Sequence, residues 1–288
     1  MKQNKFLIIG DIYPASWKDS YIAAAKERGC EAEFIDVSMI RIDIELGNIS
    51  IFNGEKSITD YTHIIFLSEV YERLYYYICY LLKDSNIKVL NSRSILKYPS
   101  FSDKFLQALI VNKSGIKTPK TSYALNPILI NDKYEYPMIV KTLGASHSSH
   151  SGRGVMKIFT KSHLEYTYAT NIEGALKAQE FLDINPIHDF RTIILNGKSL
   201  GTIKKIPAEG EFHTNSPREA IHINDNPKHI EMLLNLSKEI DCDFFAPDYI
   251  VQDNEMIIFE INRFPSFPAF GSHVASDVID SMIFNSDT

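Results

Sequence analysis

Two apolar segments near the C-terminus carry oxygen-bearing side chains at positions where a core strand is normally apolar. They are residues 244–251 and 256–262, and they contain Asp248, Glu260 and Asn262. Burying a carboxylate is costly unless a positive charge compensates it. Carboxylate and amide oxygens suit Mg²⁺, which keeps some waters and shares the rest of its shell with substrate phosphates. We therefore predict a β-hairpin that binds a divalent cation, with an edge hairpin of solvated acids as the alternative.

The length of the loop between the two strands decides which face Asp248 occupies. A three-residue loop over residues 253–255 places Asp248 opposite Glu260. A two-residue loop turns it to the apolar face, because a one-residue slip inverts a strand. We predict the three-residue loop. Since side chains alternate along a strand, the residues expected to point into the core are Ile257, Phe259 and Ile261.

Composition and charge restrict the function classes. The chain has 288 residues, 44% hydrophobic and 23% charged, with a net charge of −6. Nothing in this balance favours nucleic-acid binding. The apolar run at 6–9 is too short for a signal peptide, and no run approaches membrane-spanning length. Three distant cysteines fit neither a disulfide framework nor a zinc site: they are Cys30, Cys79 and Cys242. We expect a cytoplasmic protein that does not bind a membrane.

The chain divides into an α/β part and an α+β part. Strands at 5–9, 33–37, 63–67 and 88–91, with helices at 16–28 and 70–83, predict a small parallel-sheet domain over residues 1–98. Beyond a boundary at 98/99 we predict helices at 102–114 and 227–240, and strands at 138–142, 155–159, 178–182, 191–195 and 199–205. The first of these helices should be capped by Ser102 and bury Phe105, Leu106, Leu109 and Ile110.

Residues 144–154 are small, polar and rich in glycine, and strands flank them on both sides. This arrangement predicts a flap whose backbone N–H groups approach phosphate oxygens, and the alternative is an ordinary surface loop. The Walker pattern is absent. Three lysines are candidate phosphate ligands, namely Lys104, Lys141 and Lys205. The stretch 179–182 has backbone groups to offer an adenine edge, and Asp189 is a candidate for ribose hydroxyls.

The order of these segments resembles the ATP-grasp superfamily, most closely the RimK-like ligases that add glutamate to a ribosomal protein and their glutathione-synthetase-like relatives. The resemblance runs from about residue 89 to 270 and rests on the blocks at 89–91, 102–104, 137–141, 144–155, 179–181, 189–191, 209–215, 248 and 260–262. It implies an ATP-grasp fold, with ATP between a small lobe over 99–178 that carries the flap and a large lobe over 179–288 that carries the metal site. Residues 1–98 would be the substrate-side domain that precedes these lobes.

The resemblance also implies the nucleotide contacts. The residues concerned are Lys104, Lys141, Ser151, Gly152, Gly154, Gln179, Glu180, Phe181, Leu182, Asp189, Lys205, His213 and Asn215. The metal ligands would be Asp248, Glu260 and Asn262, binding one or two Mg²⁺ ions, with Mn²⁺ as an alternative. Four departures from the pattern are His213, the segment 216–219, Arg263 and Phe267. They lie near the phosphates or the acceptor, so they point away from a ribosomal protein as substrate and leave ATP use intact.

A carboxylate–amine ligase that forms an amide through an acyl phosphate is the expected function. Its partners would be ATP, a carboxylate and an amine on a small molecule or peptide, and the family resemblance leans towards a homo-oligomer. An arginine would clamp the acceptor carboxylate; the candidates are Arg263 first, then Arg191 and Arg153. The alternatives are a kinase on the same scaffold and an ATP-binding regulator without turnover.

Overall fold

The computed structural model describes residues 3–11, 16–46, 48–131, 133–142, 155–170, 176–184, 187–209 and 217–284. The first third contains β1 (Lys5–Gly10), α1 (Ser16–Glu27), β2 (Glu31–Asp36), β3 (Ile40–Glu45), β4 (Asn48–Asn53), β5 (Lys56–Ser57), β6 (His63–Phe66), α2 (Glu72–Leu82), β7 (Lys88–Val89) and α3 (Ser92–Lys97). The predicted parallel sheet is present, with strand order β2-β1-β6-β7. Its two central strands, β1 and β6, are buried and strongly apolar, as expected for strands covered on both faces.

A second sheet in this region was not predicted. Strands β3, β4 and β5 form an antiparallel sheet of their own between β2 and β6. Its tip is apolar and solvent-exposed at Ile44 and Leu46. The residues of β3 alternate between isoleucine and charged side chains.

The middle of the chain forms a four-stranded antiparallel sheet. Its elements are α4 (Lys104–Lys113), β8 (Thr121–Ala124), α5 (Ile128–Asn131), β9 (Met138–Thr142), β10 (Val155–Ile158), α6 (Lys161–Thr170) and β11 (Leu176–Glu180). The strand order is β10-β9-β11-β8. The predicted lobe boundary at 178/179 falls inside β11, which pairs with β8 and β9 and so belongs to this sheet. The three domain ranges themselves stay predictions.

Helix α4 differs from its predicted form at the cap and on its buried face. Asp103, not Ser102, caps it by accepting from the N–H groups of Phe105 and Leu106. Ser102 instead donates from its backbone and its hydroxyl to Glu72. Gln107, predicted outside the buried stripe, is buried because its amide bonds both backbone groups of Ile261. Because residues two positions apart lie on opposite sides of a helix, the face that buries Gln107 leaves Leu109 exposed.

The last part of the chain forms a five-stranded antiparallel sheet and a C-terminal helix. The elements are β12 (Asp189–Leu195), β13 (Lys198–Ile206), β14 (Glu219–Ile223), α7 (Pro227–Ile240), β15 (Phe244–Gln252), β16 (Glu255–Asn262) and α8 (His273–Phe284). The strand order is β14-β13-β12-β15-β16. Helix α7 has its predicted bounds, with Asn226 as its cap.

Helix α8 packs against the N-terminal domain as well as the five-stranded sheet. Its apolar residues, including Val274 and Ile279, share one core with Phe6 and Ile8 of β1 and with Tyr21 of α1. Arg28 at the end of α1 forms a bidentate ion pair with Asp280. No helix in the described ranges is long and apolar enough to span a membrane.

Candidate active site

The β15–β16 hairpin places Asp248 opposite Glu260, as predicted, but by a different route. The loop is a two-residue turn over Asp253 and Asn254, which both have positive φ and are bracketed by the pair Gln252–Glu255. The three-residue loop was therefore wrong. Tyr249 pairs with Ile258, so a β-bulge at Phe259 supplies the extra residue that the loop does not.

The bulge also changes which side chains of β16 face the core. Residues on the loop side of the bulge alternate in the opposite phase from residues beyond it. Met256 and Ile258 are buried together with Ile261, whereas Ile257 and Phe259 are only half-buried. The prediction that Ile257 and Phe259 point into the core was wrong for this reason, and that for Ile261 is confirmed.

Asp248 lies at the centre of a buried network of charges. Arg191 on the adjacent strand β12 donates Nε and Nη2 to its two oxygens at 2.7 and 2.6 Å. Lys205 Nζ lies 3.1 Å from Asp248 and 3.2 Å from Asp189. Asn262 Nδ2 lies 3.4 Å from Asp248 Oδ2. Antiparallel register brings these residues together, because Arg191 pairs with Asp248 and Asp189 with Lys205.

Glu260 joins this network to two of the predicted phosphate lysines. Lys104, the first residue of α4, donates Nζ to Glu260 Oε1 at 2.8 Å. Lys141 on β9 is buried and lies 5.7 Å from the centre of the Phe259 ring. Lys141 therefore lies opposite strand β16 of the hairpin.

A buried lysine that we did not predict lies beside these two. Lys177 on β11 pairs in register with Lys141 and donates Nζ to the carbonyl of Lys104 at 2.5 Å. It is only 1% exposed. The predicted strand starts at Ala178 and so leaves Lys177 out, although a lysine two residues before Gln179 lies on the same strand face.

The pKa values in the network reflect competition between burial and neighbouring charge. Burial would raise the pKa of Asp248, but Arg191 and Lys205 outweigh it and hold that pKa well below its ordinary range. Burial likewise opposes the ionised form of Glu260, whose pKa is nevertheless lowered, chiefly by Lys104. The two carboxyls are therefore ionised at neutral pH.

Two of the lysines lack such full compensation. Burial lowers the pKa of Lys141 to about 8. Attraction by Glu260 offsets this effect only in part, and repulsion from Lys104 lowers the pKa further. Burial, followed by repulsion from Lys141 and Lys104, lowers the pKa of Lys177 well below its ordinary value. A polyanion bound here would relieve both lysines.

The predicted adenine strand is tied to its neighbour β8 and the segment before it. Gln179 is buried and donates Nε2 to the Thr121 hydroxyl at 3.0 Å. Glu180 Oε1 accepts from the backbone N–H of Lys120 at 2.7 Å. Phe181 and Leu182 follow the strand end and are half-buried, and Phe181 has Lys157 Nζ 3.6 Å from its ring centre.

Arg263 does not reach the charged network around Asp248 and Glu260. Its side chain has no exposed surface, stacks on Phe101 and lies 3.7 and 3.5 Å from Glu69 and Glu72. It also donates to the carbonyls of Ser94 and Tyr98. Since side chains alternate along a strand, Arg263 points away from Asn262, and this position does not suit a clamp for a substrate carboxylate. Arg191 is nearer to the site, but its fork is held by Asp248.

A family model described as the RimK-like ATP-grasp domain matches residues 101–284, well over half of the chain. The chain belongs to the RimK-like ATP-grasp family. The matched range contains every predicted site residue, including those of the Asp248 and Glu260 network.

Named relatives of this RimK-like ATP-grasp chain are ligases. A probable alpha-L-glutamate ligase of Parasynechococcus marenigrum is 22% identical over 275 residues, covering 91% of this chain but 57% of the relative. The chain thus spans little more than half the length of that protein.

Two solved structures share the fold. A RiPP-associated ATP-grasp ligase of Chryseobacterium gregarium, in complex with ADP and a leader and core peptide, has TM-score 0.71 and 16% identity, covering 99% of this chain and 98% of that one. The ATP-grasp ligase PsnB, complexed with minimal precursor, Mg and ADP, has TM-score 0.70 and 13% identity, covering 98% and 97%. The predicted ATP-grasp fold is confirmed.

The donor set of this RimK-like chain fits Mg²⁺. Within the described ranges no three Asp, Glu, His or Cys side chains form a group that could hold a metal ion. The amide of Asn262 lies beside Asp248 and has an oxygen to offer as a third donor with Asp248 and Glu260. Two carboxylates and one amide give three oxygen donors, too few to surround the ion. Mg²⁺ sites of this kind are completed by substrate phosphates and water.

Part of the predicted site lies outside the described residues. This holds for the flap residues Ser151, Gly152, Arg153 and Gly154 and for His213 and Asn215. Their predicted roles remain predictions.

Proposed function

We propose that the chain is an ATP-dependent carboxylate–amine ligase of the ADP-forming type. The observation that carries the proposal is the surplus of buried cations around the hairpin. Among the described residues, three carboxylates face four cationic side chains: the carboxylates are those of Asp189, Asp248 and Glu260, and the cations are Lys104, Lys141, Arg191 and Lys205. The buried Lys177 lies beside them. Buried cations without counter-charges are unfavourable, so this site is suited to a triphosphate that supplies the missing negative charge.

In the proposed reaction the donor carboxylate attacks the γ-phosphorus of ATP, which gives an acyl phosphate and ADP. The acceptor amine then displaces phosphate and forms the amide. Phosphoryl transfer of this kind needs alignment and charge neutralisation more than covalent help. Lys104 and Lys141 would lie against the phosphates, and Lys177 would hold the start of α4 through the Lys104 carbonyl. Arg191 would fix the orientation of Asp248.

Asp248, Glu260 and Asn262 would hold one or two Mg²⁺ ions, whose chemistry is to neutralise the phosphate oxygens. Asp189 would contact the ribose. The backbone that follows Gln179 would contact the adenine. We place the enzyme in the cytoplasm, since its three cysteines are free and buried.

The acceptor that we propose is an amino acid or a peptide. The named relative is a glutamate ligase, and one structural neighbour was solved with a leader and core peptide. Two of the sequence departures, His213 and the segment 216–219, still argue against a ribosomal protein, whereas Arg263 and Phe267 are buried and have no bearing on the acceptor.

The test is an ADP-release screen over pooled amino acids and short peptides, with mass spectrometry of the products. A ligase should release ADP only when carboxylate and amine are both present, and the product should be their sum less one water. ADP release without an amine, with a stable phosphorylated product, would instead identify a kinase. Tight ATP binding with no ADP release from any pool would identify a regulator. Size-exclusion chromatography with light scattering tests the expected homo-oligomer.

A further inference from the structure

Strand β3 forms an open edge of the small antiparallel sheet in the N-terminal domain. In the described ranges its strand partner is β4, which lies on one side of it only. The two strands pair in unbroken register and β3 contains no proline, so it lacks the bulge and the proline that block many edge strands. The base of the hairpin is fixed to β2, because Asn53 and Lys56 both donate to Glu33.

The apolar face of this hairpin extends beyond the core that covers its base. Ile51 is buried in the N-terminal core, and its cross-strand partner Ile42 packs against the same core. The next apolar pair towards the tip, Ile44 and Ile49, is 75% and 50% exposed. Leu46 in the turn is fully exposed and has a φ of 41°, a conformation that favours glycine, asparagine or aspartate. An exposed leucine at such a position contributes little to the isolated chain, which points to contact with another molecule.

The register of the hairpin determines which backbone groups reach the open edge. Glu45 pairs with Asn48 across a two-residue loop, and the pair that flanks such a loop is hydrogen-bonded. Hydrogen-bonded pairs alternate along an antiparallel ladder, so the odd-numbered residues of β3 direct their backbone groups to β4. Ile42 and Ile44 therefore direct theirs outward, where a further strand can pair with them.

The charges of β3 make this edge complementary to itself. Arg41 and Asp43 lie on the face opposite the isoleucines and flank Ile42 symmetrically. If two copies pair antiparallel with Ile42 opposite Ile42, Arg41 of each copy lies opposite Asp43 of the other. A shift of the two-fold axis by one residue sets Arg41 opposite Arg41 or Asp43 opposite Asp43, and like charges directly opposite are destabilising. The charge pattern therefore favours a single register between two copies.

The same register suits the backbone. Each Ile42 would form a hydrogen-bonded pair with the Ile42 of the other copy. Each Ile44 N–H would donate to the Ile40 carbonyl of the other copy, while the N–H of Ile40 stays bonded to the Val37 carbonyl. The charged residues would then occupy the non-hydrogen-bonded pairs, in which the Cα atoms are only about 4.5 Å apart and the side chains are closest.

The ion pair that these charges form within one chain is easily exchanged. Arg41 Nε lies 3.0 Å from Asp43 Oδ2, and the two side chains are 63% and 36% exposed. An exposed pair of this kind contributes little to stability. Exchanging it for a pair between two copies therefore costs little.

We propose that β3 is the interface between two copies of this chain, which join edge to edge into one continuous sheet. A two-fold axis perpendicular to the sheet keeps both apolar faces on the same side, so the exposed tip of each hairpin would lie beside the base of the other. There Ile44 would meet the second copy's Ile40, which packs against the N-terminal core. The two-fold contact is closed, so assembly stops at a dimer. This interface specifies the expected homo-oligomer and does not depend on ligase activity.

Charge reversal tests the register. Arg41→Asp and Asp43→Arg each place like charges opposite one another at both charged pairs, so Kd for self-association should rise about tenfold or more in each. The double variant restores opposite charges and should return Kd to near the parent value. An equimolar mixture of the two single variants should form a mixed dimer, because every reversed charge then meets its opposite. Lys198→Asp, an exposed charge at the start of β13, is the control and should leave Kd unchanged.

Leu46→Asn tests the exposed tip. Asparagine tolerates a positive φ better than leucine does, so Tm at concentrations where the parent is monomeric should stay unchanged or rise. If Leu46 contacts the second copy, Kd should nevertheless rise about tenfold or more, because the buried apolar surface is lost. Leu125→Asn, which changes an exposed leucine outside the hairpin, is the control and should leave Kd unchanged.

Sedimentation velocity of the full chain over about a hundredfold range of concentration measures these constants. The parent should pass from one chain to two, and the single charge variants should remain monomeric where the parent is dimeric. A parent that stays monomeric throughout would overturn the proposal and leave the edge open to an extended peptide. A dimer whose Kd is the same in both single charge variants as in the parent would place the interface elsewhere and also overturn it. A β3 dimer that releases no ADP from any substrate pool would refute the ligase function alone.

Discussion

Replacing Glu260 by glutamine tests the pairing on which the site is built. The substitution keeps the side-chain shape and removes the charge that faces Lys104 Nζ at 2.8 Å. Lys104 has 11% of its side chain exposed and Glu260 has 25%. Removing one partner of a buried pair costs 3–5 kcal/mol, and partial exposure places this pair at the lower end, about 3 kcal/mol. Urea unfolding at neutral pH measures the loss. Glu255→Gln, at the start of β16, is the control, because its ion pair with Lys117 is solvent-exposed and should contribute little.

The pH dependence of that loss follows from the direction of the pKa shift. The pKa of Glu260 is below its ordinary value of 4.5 in the folded protein. Its ionised form therefore stabilises the fold at any pH above the unfolded value, and the contribution disappears as pH falls through the lower folded value. The difference in unfolding free energy between parent and Glu260→Gln should be constant above about pH 5.5 and shrink in more acidic solution.

Turnover gives the decisive readout for the same variant. If Glu260 is a metal ligand, Glu260→Gln should lower Mg²⁺-dependent ADP release by about a hundredfold or more. Added Mg²⁺ should restore part of the rate, because a weakened site is filled at higher concentration. A variant that is destabilised as calculated but keeps parental turnover and parental Mg²⁺ dependence would refute the metal assignment, and the pair with Lys104 would then be structural only.

Three further outcomes are expected. Because the pKa of Lys141 is about 8, kcat/KM for ATP should fall as pH rises through 8 in the parent but not in Lys141→Arg, whose guanidinium stays charged; parallel pH profiles would contradict this. Arg191→Met leaves Asp248 with Lys205 as its nearest cation and should cost about 3 kcal/mol in urea unfolding; a loss below about 1 kcal/mol would show that the fork contributes little. Asn91→Ala removes a buried amide that donates to the carbonyls of Phe244 and Arg263 and accepts from two backbone N–H groups. The free energy of unfolding should fall by about 4 kcal/mol, about 1 kcal/mol for each hydrogen bond. Asn91→Asp should also be destabilised, because a carboxylate lacks the two N–H donors. Native-like stability of either variant would show that these hydrogen bonds do not hold the segments together.

The parallel sheet and the order of the site segments along the chain were predictable, because each depends on short local sequence patterns. Strand β1 is a short apolar run ended by Gly10, and α7 begins with a proline after an asparagine cap, signals that need no tertiary context. The pairing of Asp248 with Glu260 was also predictable, since a buried acid has few tolerable positions. How the strands reach this register was not predictable. A bulge at Phe259 and a longer loop both place Asp248 opposite Glu260, and the sequence does not distinguish them.

Other features depend on contacts between distant parts of the chain. Gln107 is buried by its bonds to Ile261, and no periodicity within α4 reveals this. Arg263 was expected to clamp a substrate carboxylate because it follows the strand that is predicted to bind a metal ion. Its side chain instead pairs with two acids from the loop and helix that follow β6, over 190 residues earlier in the sequence. Lys177 is buried where it bonds the carbonyl of the first residue of α4, a contact that the strand pattern alone does not reveal.

The position of α8 has a consequence for synthesis of the protein. The α8 residues that complete the core beside β1 and α1 are translated after both large antiparallel sheets. During translation of the more than 150 intervening residues, this face of the N-terminal sheet has α1 packed on it but still lacks α8. We expect the early chain to be a chaperone client, and a nascent chain arrested before residue 273 to be cleaved by protease within its first hundred residues.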